Sequence, residues 1–290
     1  MTQPSFSVVI PAHNEERVIA RCLAAALDGA PADARFEVIV AANGCTDDTI
    51  EIARKAAPGA KLLDLPKSSK TAAINAGYEA ATVRPIIILD ADVICGYAAL
   101  STVAKILRDG KAMVAAPAMH VDTDKCDRWV KAYYRVWMSQ PYVTDNLVGS
   151  GLYGLSGDAA ARLLPLPTII ADDLYVRRTF EPQQRRSIAE DSAGRPISFT
   201  VFPPRTAIDH IRVEERRLRG NKELSELKGG QFNLASNKGA DLAKAIGSGA
   251  SIPDIAIYLA MKAAARLLYR IRRGRRGDRT VWTRDESARG

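Results

Sequence analysis

Ile86-Ile87-Ile88-Leu89-Asp90-Ala91-Asp92 sets four aliphatic residues directly before two carboxylates one residue apart. A run of four such residues after Pro85 fits a strand buried on both faces and is too short for a helix of its own. Residues 6–10, 36–40 and 61–65 repeat the pattern upstream, each bounded by Pro, Gly, Asn or Asp. Between them, the apolar spacing predicts helices over 15–27, 47–57 (capped by Thr46 or Asp47) and 71–81. Strands alternating with helices of about ten residues give βαβ units and a mostly parallel sheet covered on both faces. Ligands of such sheets gather beyond the carboxyl ends of the strands. Those ends carry Pro11-Ala12-His13-Asn14-Glu15, Ala41-Ala42-Asn43-Gly44, Pro66-Lys67-Ser68-Ser69-Lys70 and Asp90-Ala91-Asp92. Asp90 and Asp92 are placed to share a divalent cation, and hard carboxylate oxygens suit magnesium or manganese. The same pair also makes an ordinary solvated strand-to-loop turn, so the neighbouring segments decide between the two.

Those segments resemble glycosyltransferase family 2. Residues 8–16, Val-Val-Ile-Pro-Ala-His-Asn-Glu-Glu, are similar to the opening strand and loop of that family. Asn43-Gly44-Cys45-Thr46-Asp47-Asp48-Thr49 is similar to its second loop, commonly Asp-Gly-Ser-Thr-Asp-Gly-Thr. Residues 70–77, Lys-Thr-Ala-Ala-Ile-Asn-Ala-Gly, resemble the Lys-x-x-Ala-x-Asn-x-Gly helix start that precedes the Asp-x-Asp strand. The resemblance implies the GT-A fold: α/β, Rossmann-like, with a mostly parallel central sheet flanked by helices, here followed by a C-terminal helical extension. It further implies that Pro11, Ala12, His13 and Glu15 line the nucleotide end, that Asn43 stands in place of a base-reading aspartate, and that Lys70 lies near the donor diphosphate. Asp90, Ala91 and Asp92 would flank ribose and metal, with Asp92 the direct metal ligand. An amide hydrogen-bonds a base with donor and acceptor interchangeable, which leaves the nucleotide less defined than an acid would; uridine is the expected base.

Ile170-Ala171-Asp172-Asp173-Leu174 resembles the Glu-Asp motif of the same family, which implies that Asp173 is the catalytic base and Asp172 its support. The base would take the proton of an acceptor hydroxyl as its oxygen attacks the anomeric carbon opposite the leaving diphosphate, inverting that centre. Two acids at a helix start are also favourable against the helix dipole alone. Glu214-Glu215-Arg216-Arg217-Leu218 falls where processive members carry Gln-x-x-Arg-Trp. Only Arg217 matches, so transfer of a single sugar is expected, with Arg217 at the diphosphate or simply on a solvated face. Gly149, Ser150, Gly151 and Tyr153 form a glycine-rich stretch suited to a close acceptor, or to a tight turn before a strand over 152–156. Trp129, Tyr133, Tyr134, Trp137 and Tyr142 are spaced as helix core, with stacking on a sugar or lipid the alternative. His13 and His210 stand near the site by position, but lone histidines are more often structural, and His120 has no carboxylate or cysteine neighbour arranged as a ligand set, so no histidine is assigned to metal.

The chain has 290 residues, 47% of them hydrophobic, enough for a sizeable core, and a formal charge of +8. Cys22, Cys45, Cys95 and Cys126 stand singly and read as thiols of a reducing compartment, and no export signal is read at the start. A last helix over 252–271 places Lys262, Arg266 and Arg270 along one side and Ile257, Ala260, Ala264, Leu268 and Ile271 along another. Too many charges interrupt it for a membrane span, so it reads as an amphipathic surface helix. With Arg272, Arg273, Arg275, Arg276 and Arg279 it is able to meet an anionic membrane surface. No reading motif for nucleic acid accompanies these charges. The expected division is a glycosyltransferase domain over 1–230, with a nucleotide-sugar half over 1–120 and an acceptor half over 121–230, then a basic helical extension over 231–290. The expected protein is a cytoplasmic enzyme, peripheral on the inner face of the cell membrane. It would use a uridine diphosphate sugar, manganese or magnesium, and a lipid-linked hydroxyl acceptor, in envelope polysaccharide or glycolipid assembly. A sugar nucleotidyltransferase would open with a Gly-x-Gly-x-Arg loop that is absent after the first strand, and a catalytically degenerate nucleotide-sugar or membrane scaffold is the remaining alternative.

Overall fold

The computed structural model describes residues 5–144, 146–226 and 245–275. Arg276, Arg279 and the opening of the expected extension over 231–244 lie outside the described residues, as do the side chains of Tyr142, Arg273 and Arg275. Among the described residues nine strands form one sheet. In chain order they are β1 (Phe6–Ala12), β2 (Phe36–Asn43), β3 (Lys61–Leu65), β4 (Ile86–Leu89), β5 (Ile94–Cys95), β6 (Val114–Val121), β7 (Leu152–Leu155), β8 (Arg185–Ile188) and β9 (Ser198–Val201). The helices are α1 (Ile19–Leu27), α2 (Thr49–Ala56), α3 (Lys70–Ala80), α4 (Tyr97–Arg108), α5 (Arg128–Trp137), α6 (Pro141–Thr144), α7 (Gly157–Leu163), α8 (Asp172–Thr179), α9 (Ala207–Glu226) and α10 (Ile252–Arg275).

The strand that opened the reading is central. All four residues of β4 are at most 1% exposed, and each such side chain contributes about 1.5–3 kcal/mol by leaving water. On one side β4 pairs in parallel with β1, and the parallel order continues through β2 to β3. On the other side β7 runs antiparallel to β4 and carries β6. The eight residues of β6 serve two parallel partners in succession, β8 along the first half and β9 along the second, and β5 closes antiparallel on β9.

The first two helices begin later than their apolar periodicity suggests, at Ile19 and Thr49 instead of 15 and 47. The intervening residues are held by bonds between loops. Glu15 N–H donates to Thr49 Oγ1 at 2.7 Å, Glu16 N–H to Asp47 Oδ2 at 3.3 Å, and Thr49 N–H to Asp47 Oδ1 at 3.1 Å. Helix α3 starts one residue early because Ser69 Oγ accepts Ala72 N–H and caps it. Gly77 lets α3 lie directly on β1: a Cβ there would stand 2.3 Å from Val9 Cγ1. From the same helix, Asn75 Nδ2 donates to the Leu166 carbonyl at 2.9 Å, and Leu166 N–H donates to Asn75 Oδ1 at 2.7 Å, fixing the segment that leads to α8.

A second apolar cluster joins α5 to α10. Tyr133, Tyr134 and Trp137 are buried, whereas Trp129 is exposed. Helix α10 packs on both α5 and α9, and charges fasten it: Lys262 to Glu214 at 3.4 Å, Arg272 to Glu215 at 3.2 Å, and Arg135 of α5 to Asp254 at 2.6 Å. The buried face of α10 is Tyr258, Met261 and Ala265, a rotation away from the expected stripe. Ala260 and Ile271 face solvent and Lys262 turns inward, because its partner Glu214 is buried in α9 and a buried carboxylate draws a cation to it.

Candidate active site

A cleft of about 270 Å³ opens at the carboxyl ends of β1, β2 and β4. Of the expected nucleotide-side residues, Pro11, His13, Glu15, Asn43, Lys70 and Ala91 line it. So do the acids Asp90, Asp92, Asp172 and Asp173, and Ser150, Gly151 and Arg217. Ala12, Gly149 and Tyr153 are not among the lining residues.

Lys70 is the hub of the charge arrangement. Its ammonium lies 2.7 Å from Asp90 Oδ1 and 3.1 Å from Asp172 Oδ1, tying the end of β4 to the start of α8. Burial alone would favour the neutral amine, but the Asp172 and Asp90 carboxylates outweigh it and raise the group, so Lys70 stays charged. Burial, with the Asp172 and Asp92 charges behind it, raises the Asp90 carboxyl above its ordinary range, against the pull of Lys70. Asp172 is buried and accepts the Tyr153 hydroxyl at 3.1 Å. Burial and the Asp172 charge raise Tyr153, keeping its proton in that bond.

Asp173 faces the cleft with both oxygens held by backbone: Ser150 N–H reaches Oδ2 at 3.2 Å and Leu174 N–H reaches Oδ1 at 2.7 Å. The glycine-rich turn is therefore a bracket. Asp90 N–H donates to the Gly151 carbonyl at 2.8 Å on one side while Ser150 holds Asp173 on the other. Gly149, at φ +103°, passes so close to Asp173 that a Cβ would stand 2.7 Å from the Asp173 Cβ. Only glycine meets both conditions without displacing the carboxylate.

Asn43 is buried, and its amide is bound to the protein itself. Nδ2 donates to the Ala12 carbonyl at 2.8 Å, and Ser69 N–H donates to Oδ1 at 2.9 Å. His13 Nδ1 lies 2.6 Å from the Asn43 carbonyl, which assigns the proton to that nitrogen. Arg217 is ion-paired to Glu214 at 2.6 Å and lies over the Trp137 ring. Glu214 is held down to about 2, because Arg217 and Lys262 outweigh the effect of its burial. His210 is buried on α9 against Tyr133, with ring centroids 4.1 Å apart, and burial lowers it to about 4, so it is a neutral core residue at neutral pH.

The acids fit a divalent ion shared with a substrate. Among the described residues no group of three or more His, Cys, Asp or Glu side chains is arranged to hold a metal. Magnesium and manganese are commonly held by one or two carboxylates, with substrate phosphates completing the shell. Asp92 offers such an anchor, while Asp90, crowded by Asp92 and Asp172, gains from any added positive charge.

The opposite end of the cleft was not legible as a site. It is lined by Met119 of β6, Phe202, Pro203 and Pro204 after β9, and Val213 and Arg216 of α9. The available signal was Phe202-Pro203-Pro204, a double proline directly after an alternating run, which marks a strand end at the rim of a sheet.

The chain matches the model of glycosyl transferase family 2 over residues 7–163, more than half its length, and it belongs to that family. The match runs from β1 through α7, so it includes the Asp-x-Asp strand end and the glycine bracket. Glycosyltransferase AglE of Haloferax volcanii is 34% identical over 95 residues, and the chain spans about a third of the length of that relative, 31% of each protein. Mannosyltransferase PcManGT from Pyrobaculum calidifontis, solved in complex with GDP-Man and Mn2+, has 18% identity and a TM-score of 0.62 over 94% of this chain and 89% of its own. The fold is that of the GT-A glycosyltransferases.

Proposed function

We propose that this family 2 glycosyltransferase moves a single sugar from a nucleotide diphosphate sugar to an acceptor hydroxyl, with inversion. The observation that carries the reading is the Lys70 ammonium between Asp90 and Asp172, in one cleft with Asp92 and Asp173. The nucleoside lies against Pro11, His13, Glu15 and Asn43, over the half of the domain spanning 1–120. Asp173 takes the acceptor proton; the freed oxygen attacks the anomeric carbon as the bond to the diphosphate breaks on the far side, and Lys70 keeps Asp172 and Asp90 from repelling the base. Asp92 and Asp90 would hold a divalent cation, which would supply charge to offset the growing negative charge of the diphosphate. Support for such an ion comes from the acid geometry and from the Mn2+ bound by the similar mannosyltransferase. Arg217, which also lines the cleft, would meet the same diphosphate on exchange from Glu214.

Uridine is the expected base. Because Asn43 is bound to backbone at both ends, its choice of base is less sharp than that of an aspartate, so the test includes guanosine donors. With manganese, the purified protein should be stabilised against thermal unfolding by a uridine diphosphate sugar, and by about 2.7 kcal/mol at a hundred times its dissociation constant. It should then release nucleotide diphosphate when an acceptor is added. No protection by any uridine or guanosine diphosphate sugar would overturn the donor assignment. The bound Asn43 amide and the Arg217–Glu214 pair also favour a second reading, a nucleotide-sugar-binding scaffold; protection without turnover across a broad acceptor panel would select it.

The acceptor in this reading is lipid-linked, and the 231–290 extension is a peripheral contact with the inner face of the cell membrane. No helix among the described residues is long and apolar enough to cross a membrane. Support comes from the outward face of α10, where Ile252 is 75% and Leu267 59% exposed, beside Leu259 and the exposed Arg266 and Arg270. Apolar side chains flanked by arginines suit an anionic headgroup layer. Sedimentation with anionic liposomes at low salt should fall roughly tenfold or more when Arg266 and Arg270 are both replaced by alanine, and should fade in the parent protein as salt is added. Equal sedimentation of parent and variant would remove the membrane contact.

A further inference from the structure

Glu214 and Glu215 of α9 are consecutive and both buried, and each is shared between an arginine of its own helix and a cation of α10. Glu215 takes Arg219 at 2.8 Å and Arg272 at 3.2 Å. Glu214 takes Arg217 on Oε1 at 2.6 Å and Lys262 on Oε2 at 3.4 Å. The two clamps differ in one respect: Arg217 lines the cleft and Arg219 does not. The Arg217 side chain is 42% exposed against 7% for that of Glu214, so the guanidinium is open to a ligand while the carboxylate stays inside. Because the two cations use different oxygens of Glu214, Arg217 is able to leave without displacing Lys262. A buried carboxylate that loses its last partner stands desolvated and uncompensated, which is strongly unfavourable. Among the described residues, Arg217 and Lys262 are the ion-pair partners of Glu214. His210, one turn earlier on α9, does not serve instead, since burial lowers it to about 4 and leaves it neutral at neutral pH.

We propose that Lys262 is a positioning residue for the diphosphate: by staying on Glu214, it lets Arg217 pass from that carboxylate to the diphosphate oxygens. The assignment rests on the transferase reading above, in which Arg217 meets the diphosphate, and it names what makes the exchange possible. Lys262 acts through Glu214, since no described residue of α10 lines the cleft. Its charge works in two ways that agree in sign. It compensates Glu214 once Arg217 has gone, and while both cations are present it repels Arg217 and so weakens the bond that the diphosphate has to break. The division of labour suits the two side chains. The planar fork of Arg217 matches a phosphate as well as it matches a carboxylate, and Lys262 serves as a point charge. Its ammonium also lies 5.2 Å from the centre of the Tyr258 ring, on the buried face of α10, which keeps it beside Glu214 when Arg217 moves.

Calorimetric titration of the full chain with inorganic pyrophosphate and magnesium tests this, because the probe carries the diphosphate without nucleoside or sugar. Lys262→Met should weaken pyrophosphate binding tenfold or more, and Lys262→Arg should restore most of the loss. In an Arg217→Ala background, Lys262→Met should change the affinity by less than twofold, since the arginine that it serves is gone. Arg135→Met supplies the control for loosened packing: it removes the 2.6 Å pair that ties α10 to α5 through Asp254, away from Glu214. That variant should lower the unfolding midpoint and leave the pyrophosphate affinity within twofold of the parent. A Lys262→Met variant that folds and binds pyrophosphate as the parent does would overturn the proposal. So would an undiminished effect of Lys262→Met in the Arg217→Ala background, an equal loss in Arg135→Met, or a parent protein that takes no pyrophosphate. Thermal protection by nucleotide diphosphate sugars, measured on the same preparations, separates the two readings. Pyrophosphate binding that depends on Lys262, without protection by any donor, sinks the transferase assignment and leaves the role of Lys262 standing; donor protection equal in parent and Lys262→Met does the opposite.

Discussion

Asp173→Asn should lower kcat by about a hundred- to ten-thousandfold, the range that a positioned general base contributes, while protection of the protein by its donor is retained. The expectation follows from the side chain's surroundings. Two backbone N–H groups, from Ser150 and Leu174, hold its oxygens at 3.2 and 2.7 Å, so an amide of nearly the same shape stays in place but has lost the basic lone pair. Substitution also turns an NH2 toward one of those N–H donors, and a modest fall in the unfolding midpoint should accompany the kinetic loss. Single-turnover measurements with saturating donor isolate the chemical step. A variant that transfers sugar at the parent rate would remove Asp173 from the reaction and leave Asp172, or a group from the acceptor, as the proton's destination.

Asp92→Ala should have an effect of similar size by a different route. Lys70 lies 2.7 Å from Asp90 and 3.1 Å from Asp172, so those two acids are in part neutralised within the protein, and Asp92, which lines the same cleft two residues beyond the strand-end acid, is the carboxylate proposed to anchor a cation with the donor phosphates. Charge stabilisation by such an ion is worth several kcal/mol, which corresponds to a fall of about a thousandfold in turnover. The diagnostic is the manganese titration: the parent should show saturable activation, and the variant should show none at any concentration that leaves the protein soluble. Activation by manganese with the parent's midpoint in the variant would mean that the ion is held elsewhere.

The first four strands were largely written in local pattern. Strand β3 and strand β4 run over the residues that their composition marks, since each is a short apolar run between turn residues and nothing distant alters its identity. Helix starts were less legible, because Glu15, Glu16, Asp47 and Thr49 bond across two loops some thirty residues apart, and a periodicity has no access to such pairs. The acids at 90, 92, 172 and 173 and Lys70 could be picked out by their motifs, but the pairing of Lys70 with Asp90 and Asp172 could not, since it depends on a fold that brings residue 70 to residue 172. The end of the cleft away from the acids was the least legible. Strand β6 contains Ala115, Ala116 and Pro117, small or strand-averse residues, and is held by β8 and β9, which follow it by some seventy to eighty residues. The C-terminal helix was read to residue 271 and runs to Arg275, and its inward face is rotated from the expected one, with Ile257 packed inward but Ala260 and Ile271 outward, because buried Glu214 and Glu215 of α9 select which cations turn toward them.

Asn75 of α3 fastens the segment before α8 through the main chain at Leu166, giving to its carbonyl and taking from its amide. A clasp of that kind is blind to the identity of the residue it grips. Drift in the second half can therefore rewrite side chains around the clasp without loosening it, provided that the path of the chain past this point keeps its length and shape. Chimaeras that import a foreign second half would be expected to seat well when joined upstream of the clasp with the spacing to the acidic pair preserved, and poorly when that spacing changes by even one residue.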